Sequence, residues 1–289
     1  MMSMDFPTRK LLKSEWPPLI PHIPDPPTEL YLRGELPHKD RIYLAVVGSR
    51  QCSAYGKEVT KQLIQGLRGY PLCIVSGLAL GVDSLAHEAA LAASLPTVAV
   101  PGSGIDDSVV YPRSHTKLAQ KILESGGALL TEFDPFFVST PWAFPQRNRI
   151  MAGMSKATLV IEASLKSGTL ITSRLATDYN RDVLTVPGSI FSAHSAGPHM
   201  LIRLGATPVR SSADILEALG IEAQATPVKP LDLSPIEQKI YDTLAEPCTR
   251  DALAHRVSLP IPELNMHVTL LELRDVISEV NGILVRTTR

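Results

Sequence analysis

Residues 144–176 read FPQRNRIMAGMSKATLVIEASLKSGTLITSRLA, and the middle of this stretch decides the fold. ATLVI at 157–161 is short, apolar and β-rich enough for a buried strand, whereas 168–177 resume helical spacing through Leu170, Ile171 and Leu175. The polar segment between them, with Glu162, Ala163, Ser164, Lys166, Ser167 and Gly168, is then a strand-to-helix loop. In an open parallel α/β sheet such loops leave the carboxyl ends of the strands and line the ligand crevice. Arg147, Asn148 and Arg149 form a second polar cluster just before the strand.

Outward from this stretch the same unit recurs. YLAVV at 43–47 predicts a strand, followed by the tight loop Gly48-Ser49-Arg50 and a helix with Val59, Leu63, Ile64 and Leu67 on one face. A second strand at 72–75 runs into a glycine-bearing loop at 76–83, with Asp83 as a candidate N-cap for a small-residue helix carrying Ala86, Ala89, Ala90 and Ala93. Next come a strand at 97–100, the loop PGSGIDDSVVYP, a helix at 114–124 and a strand at 128–131. After the opening stretch, a strand at 182–186, a helix at 198–204 and a short strand at 206–209 complete the series. Regular β/α alternation of this kind predicts an α/β fold, a parallel sheet with helices on both faces.

Two segments fall outside the alternation. Residues 1–40 are rich in proline (WPPLIPHIPDPP at 16–27), which sustains neither helix nor central strand, so an extended N-terminal arm is expected there. Periodicity lapses again at 221–233, the expected linker between a main domain at 41–220 and a small one at 234–289. In the small domain, Ser234, Pro235 and Glu237 form a capping box, Thr249 opens a shorter helix, and 261–275 predicts a third helix. Its inward residues would be Leu264, Val268 and Leu271, with Leu270 a further candidate. Two short strands around Asn281-Gly282 read as a hairpin, which makes this unit a winged helix-turn-helix.

Composition sets limits. The 289 residues are 44% hydrophobic with a net charge of -1, a folded globular chain without a global basic field. No apolar run reaches the roughly 18 residues of a membrane span, and the first residues lack a signal-peptide core, so a cytoplasmic protein is expected. Cys52, Cys73 and Cys248 are odd in number and widely spaced, which predicts free thiols rather than disulfides or a zinc site. Neither GxGxxG nor GxxxxGK[ST] occurs, so no cofactor is expected. GxSxG and HExxH are missing too, and Glu162 is better read as a charge that orients its loop than as a general base.

Binding chemistry is better supported. Four glycine-bearing loops, Gly48-Ser49-Arg50, 76–81, 101–104 and Ser167-Gly168, fall at equivalent strand ends, where backbone N–H groups and helix N-termini attract anions. The segment 147–182 carries six basic residues against three acidic ones, a local positive patch in a near-neutral chain. Arginine forks onto phosphate, and Phe144 or Tyr111 would stack on a base.

Taken together, VGSR (47–50), SGLALGVDSLAH (76–87), PGSGID (101–106), FPQRNRIMAGMS (144–155), EASLKSGTLITS (162–173), VPG (186–188) and GPHMLIRLGA (197–206) resemble the DprA/Smf family. The resemblance covers about 43–209, with the arm and the winged helix similar to the family's flanking parts. It implies an extended Rossmann-like domain that binds single-stranded DNA, forms a homodimer and loads RecA recombinase in natural transformation. It also implies a DNA pocket of Gly48, Ser49, Arg50, Ser76, Gly77, Gly81, Phe144, Arg147, Asn148, Lys166, Ser167 and Gly168. A dimer surface would lie around His199, Met200, Leu201, Ile202 and Val209. The sterile-alpha-motif-like domain of many members is not expected in the arm, and the acidic residues of the third winged helix (Glu263, Glu272, Asp275) suit protein contact better than a major groove. The alternative is a nucleotide-binding enzyme that cleaves nucleoside monophosphates, but PGSGID lacks the Thr and Glu of the PGGxGT-x-x-E signature.

Overall fold

The computed structural model describes residues 6–222, 233–274, 276–280 and 282–286, and they fall into two compact units, Met1–Ala223 and Gln224–Arg289. Most of the linker expected at 221–233 lies outside the described residues, as do Asp275 and Asn281.

The first unit is built on one nine-stranded sheet. Its strands are β1 (Thr8–Lys10), β2 (Tyr31–Gly34), β3 (Ile42–Val47), β4 (Leu72–Ser76), β5 (Thr97–Ala99), β6 (Ala128–Thr131), β7 (Ala157–Val160), β8 (Asp182–Thr185) and β9 (Thr207–Pro208). The spatial order is β1-β2-β6-β5-β4-β3-β7-β8-β9. From β6 to β9 the pairing is parallel, and β1 and β2 add an antiparallel edge. The helices are α1 (Ala54–Gln65), α2 (Val82–Ala92), α3 (Thr116–Glu124), α4 (Ala143–Met154), α5 (Thr169–Asp178), α6 (Ala196–Arg203) and α7 (Ser212–Ala218).

Burial on both faces explains the continuous apolar strands. Leu44 and Val46 of β3 point into one core with Leu63 and Ile64 of α1, Val82 and Ala86 of α2 and Ile215 of α7. Tyr43 and Val47 point the other way, among Ile150, Met151 and Met154 of α4 and Leu201 of α6. The chain leaves β3 toward β4 on one side, and only later returns to its other side with β7. The order therefore reverses between β3 and β7, and a crevice opens at their carboxyl ends.

Two expectations need correction. The proline-rich arm joins the sheet: Tyr31–Gly34 pairs with β6, while Trp16, Ile20, Leu30 and Leu32 are core residues. Asp25 ties the arm to the helices, its carbonyl and carboxylate facing Arg149 and its carboxylate accepting from the Tyr179 hydroxyl at 2.8 Å. Arg147, Asn148 and Arg149, read as a polar cluster with no element assigned, lie within α4. Nearly every side of that helix is buried, so it shows no amphipathic stripe to reveal it. α7 also went unseen.

The second unit holds α8 (Pro235–Thr243), α9 (Arg250–Val257), α10 (Ile261–Leu273), β10 (Ile277–Val280) and β11 (Ile283–Arg286), a winged-helix arrangement. The Ser234–Glu237 capping box and the Thr249 cap form as expected. Leu264, Val268 and Leu271 are buried, whereas Leu270 is exposed, together with Met266 and Leu273. Among the described residues no helix is long and apolar enough to cross a membrane.

Candidate nucleic-acid interface

At the carboxyl ends of β3 and β7 lies a cleft of about 700 Å³. Gly48, Ser49, Arg50, Ala79, Asp83, Phe144, Arg147, Asn148, Ser164, Ser167, Gly168 and Thr169 line it. Glu162 builds one side. Its backbone carbonyl accepts from the Ser49 N–H at 2.8 Å, and its buried carboxylate accepts from the N–H and hydroxyl of Ser53, the residue that caps α1. The acid thus pins the loop that presents Arg50, as its place in the sequence suggested. Cys52 sits against the same carboxylate, and burial pushes its thiol up to about 12, far from a nucleophile's range.

Two glycines set the depth of the cleft. Gly81 has φ +79°, and a Cβ there would fall 2.3 Å from the Ser49 carbonyl oxygen. That close approach lets the Val82 N–H donate to the same oxygen at 3.1 Å, so the loops after β3 and β4 lock together. At Gly77 a Cβ would fall 2.0 Å from the Arg147 guanidinium, which runs beneath the loop and donates to the Val100 carbonyl. The Gly77 N–H donates to the Asp83 carboxylate at 3.1 Å.

Arg147 and Asp83 are therefore two buried ionisable groups under the cleft floor, each within electrostatic reach of the other. Burial pulls Arg147 down to about 10, and the charge of Asp83 opposes that shift, so the guanidinium stays charged at neutral pH. Burial raises Asp83, with Arg147 pulling the other way. Arg50 is exposed instead, and its guanidinium lies 5.4 Å from the centre of the Phe144 ring, within cation–π range. Tyr111 completes the aromatic group at 5.6 Å from Phe144. The opposite wall is the N-terminus of α5, where Ser167 Oγ accepts from the Thr169 N–H at 3.2 Å. The positive end of that helix points at the crevice.

The geometry gathers some of the sequence candidates and sets others aside. Gly48, Ser49, Arg50, Phe144, Arg147, Asn148, Ser167 and Gly168 meet at one cleft. Ser76 is fully buried and donates to the Val46 carbonyl at 2.7 Å, tying β4 to β3. Gly77 and Gly81 act through the backbone spacing just described. Lys166 is exposed but lines a neighbouring groove with Arg174, Met200 and Leu204, across α5 from the cleft. The loop at 101–104 is not a ligand loop: it is buried, and Gly102 leaves room for the Phe144 ring. Asp83 lies in the first turn of α2 behind Gly81, so it does not cap that helix. Arg149 pairs with Glu132 and Asp25. Of the dimer candidates, Leu201 and Val209 belong to the monomer's cores, and His199 Nε2 lies 3.0 Å from the Gly188 carbonyl; Met200 and Ile202 remain half-buried. Sequence reasoning missed Pro141, Pro145, Met151, Ile171 and Thr172 as cleft residues, because α4 and the exact start of α5 were needed to place them.

A family described as DNA recombination-mediator protein A matches residues 9–220, and the DprA winged helix domain matches 222–282. The chain belongs to this family. It is 38% identical to Protein Smf of Escherichia coli over 284 residues, covering 95% of this chain and 75% of that one. It is 41% identical to the DNA processing protein DprA of Streptococcus pneumoniae over 211 residues, covering 73% of each. The crystal structure of that pneumococcal protein superposes with TM-score 0.68 at 40% identity, over 74% of this chain and 75% of that one. A structure of DNA processing protein A from Helicobacter pylori, described by its single-stranded DNA binding mode, superposes with TM-score 0.66 at 29% identity, over 75% of this chain and 98% of that one.

Proposed function

We propose that the protein is a single-stranded DNA-binding recombination mediator, which protects incoming strands and loads RecA recombinase onto them during natural transformation. The observation that carries this reading is the exposed Arg50 held over Phe144, facing the N-terminus of α5 across one cleft. A guanidinium and a helix N-terminus offer two phosphate sites, and Phe144 and Tyr111 offer ring faces to a base. Such contacts read little of the base, so sequence preference is small. The single-strand binding of the Helicobacter pylori relative supports the same assignment.

The protein acts by holding DNA, in the cytoplasm, and as a homodimer. Met200 and Ile202, with the exposed Leu204 beside them, are the surface for that dimer. The carboxylates at the cleft are committed to structure, Glu162 to Ser53 and Asp83 to Gly77, which disfavours a nucleoside monophosphate-cleaving enzyme. Competition between single- and double-stranded oligonucleotides of one sequence, read by fluorescence anisotropy, tests the reading. The single strand should bind at least tenfold tighter; equal affinity, or release of free base from nucleoside monophosphates, would overturn it.

A further inference from the structure

Between β6 and α4 the chain runs DPFFVSTPW at 134–142 and leaves large apolar side chains in solvent: Phe136 is 64% exposed, Val138 68% and Trp142 53%. Exposed aromatics of this size in a cluster mark a contact surface. This one is built to hold its shape. The Trp142 ring stands edge-on to Phe133 at 5.7 Å and 84°, and lies 5.6 Å from Phe137, while Phe133 and Phe137 stack at 4.7 Å. Below the rings, the Phe137 carbonyl accepts from the Gly104 N–H at 2.8 Å and the Pro135 carbonyl from the Ile105 N–H at 3.0 Å.

The platform continues the cleft. Pro141 and Pro145 both line it. Trp142 is next to the first and, at the start of α4, one turn before the second, so it shares a face with Pro145. Its charge is equally telling: 134–142 contains Asp134 and no Lys or Arg, so it has nothing to grip a phosphate. What it offers a strand is ring surface.

We infer that Trp142 and Phe136 form a second base-stacking ledge, reached by single-stranded DNA as it leaves the cleft over Pro141 and Pro145. The inference rests on the reading of the cleft as a single-strand site. Phosphate grip and stacking are thereby divided between neighbouring surfaces: Arg50 supplies the salt-dependent part, the ledge a salt-independent part.

The chain has two tryptophans, and Trp16 is buried, so a full-length Trp16→Phe protein reports on Trp142 alone. Its emission should be quenched saturably by an oligothymidylate of about 16 nucleotides, near the upper site size of single-strand binders. Trp142→Ala should weaken binding of that oligonucleotide about tenfold, at an unchanged slope of log affinity against log salt. Trp142→Phe, which keeps a ring, should stay within about twofold. Phe136→Ala, whose ring lies outside the packed cluster, should weaken binding about threefold and serves if Trp142→Ala fails to fold. Absent quenching, with both alanine variants binding as wild type, would overturn the ledge while Arg50-dependent binding still stood. If the wild-type chain bound no single strand at all, the cleft reading would fall and take the ledge with it.

Discussion

Arg147 and Arg50 border the same cleft on opposite terms. Arg147 is 4% exposed, threaded under Gly77 and bonded to a backbone carbonyl, whereas Arg50 stands in solvent over an aromatic ring. The contrast extends to their surroundings. Asn148, Ser76 and Asp83 are buried around the first, while Ser164 and Gly168 are exposed across from the second. Two basic motifs thus serve two purposes: the buried wall fixes the shape of the cleft, and the exposed wall is open to a ligand. Stability and binding should therefore separate cleanly between them.

The largest effect expected is on the buried wall. Arg147→Ala removes the guanidinium packed under Gly77 with its bond to the Val100 carbonyl, emptying a buried space, and should cost about 2–5 kcal/mol, as large-to-small core changes do. At about 2–4 °C per kcal/mol for a unit of this size, the thermal midpoint should fall by on the order of 10 °C. A midpoint within about 1 °C of wild type would show that the wall is not structural. Glycines give a second comparison. Gly77→Ala drives a Cβ into the buried Arg147 guanidinium and should cost about 1–3 kcal/mol in a denaturant titration. Gly168→Ala meets nothing within 4 Å, at an ordinary negative φ, and should be neutral or stabilising by up to about 1 kcal/mol. Equal costs at the two positions would erase the distinction between the walls.

A smaller effect tests the layer behind the buried wall. His87 of α2 is fully buried with Nδ1 2.7 Å from the Thr97 hydroxyl, which itself donates to the Ile74 carbonyl. The hydroxyl proton is thus committed, and Nδ1–H of a neutral imidazole is the donor. Burial pulls this histidine down from 6.5 to about 3. Between those pH values the unfolded chain takes up a proton that the folded one refuses, so stability is lost as pH falls through this window. Its share is about 1.4 kcal/mol per pH unit. Melts at pH 6.5 and 5 should show a steeper loss for wild type than for His87→Gln; parallel losses would mean that His87 protonates without penalty.

These differences explain what was legible in the sequence. Strands β3 to β8 were visible because a strand buried on both faces is a short apolar run, and their alternation with helices fixed a parallel sheet. The glycine loops and Arg50 followed from their places at strand ends. α4 was hidden, since a helix buried on nearly all sides lacks the apolar stripe by which helices are recognised. The arm's β2 was hidden by the prolines before it, which suggested an extended strap rather than a sheet edge. Arg147 and Lys166 looked equivalent to Arg50 because residue type does not encode burial; only packing shows that one lies under a glycine and the other across a helix. Leu201 and Val209 suited an interface as well as a core until the sheet claimed them.

The division between the walls is tested most directly by salt titrations of single-strand binding with full-length wild type and Arg50→Ala. Arg50→Ala should melt like wild type, bind more weakly to every sequence, and lower the slope of log affinity against log salt by about 0.7, one phosphate contact on a single strand. An unchanged slope in Arg50→Ala would contradict the assignment of Arg50 as the phosphate-gripping residue of the cleft.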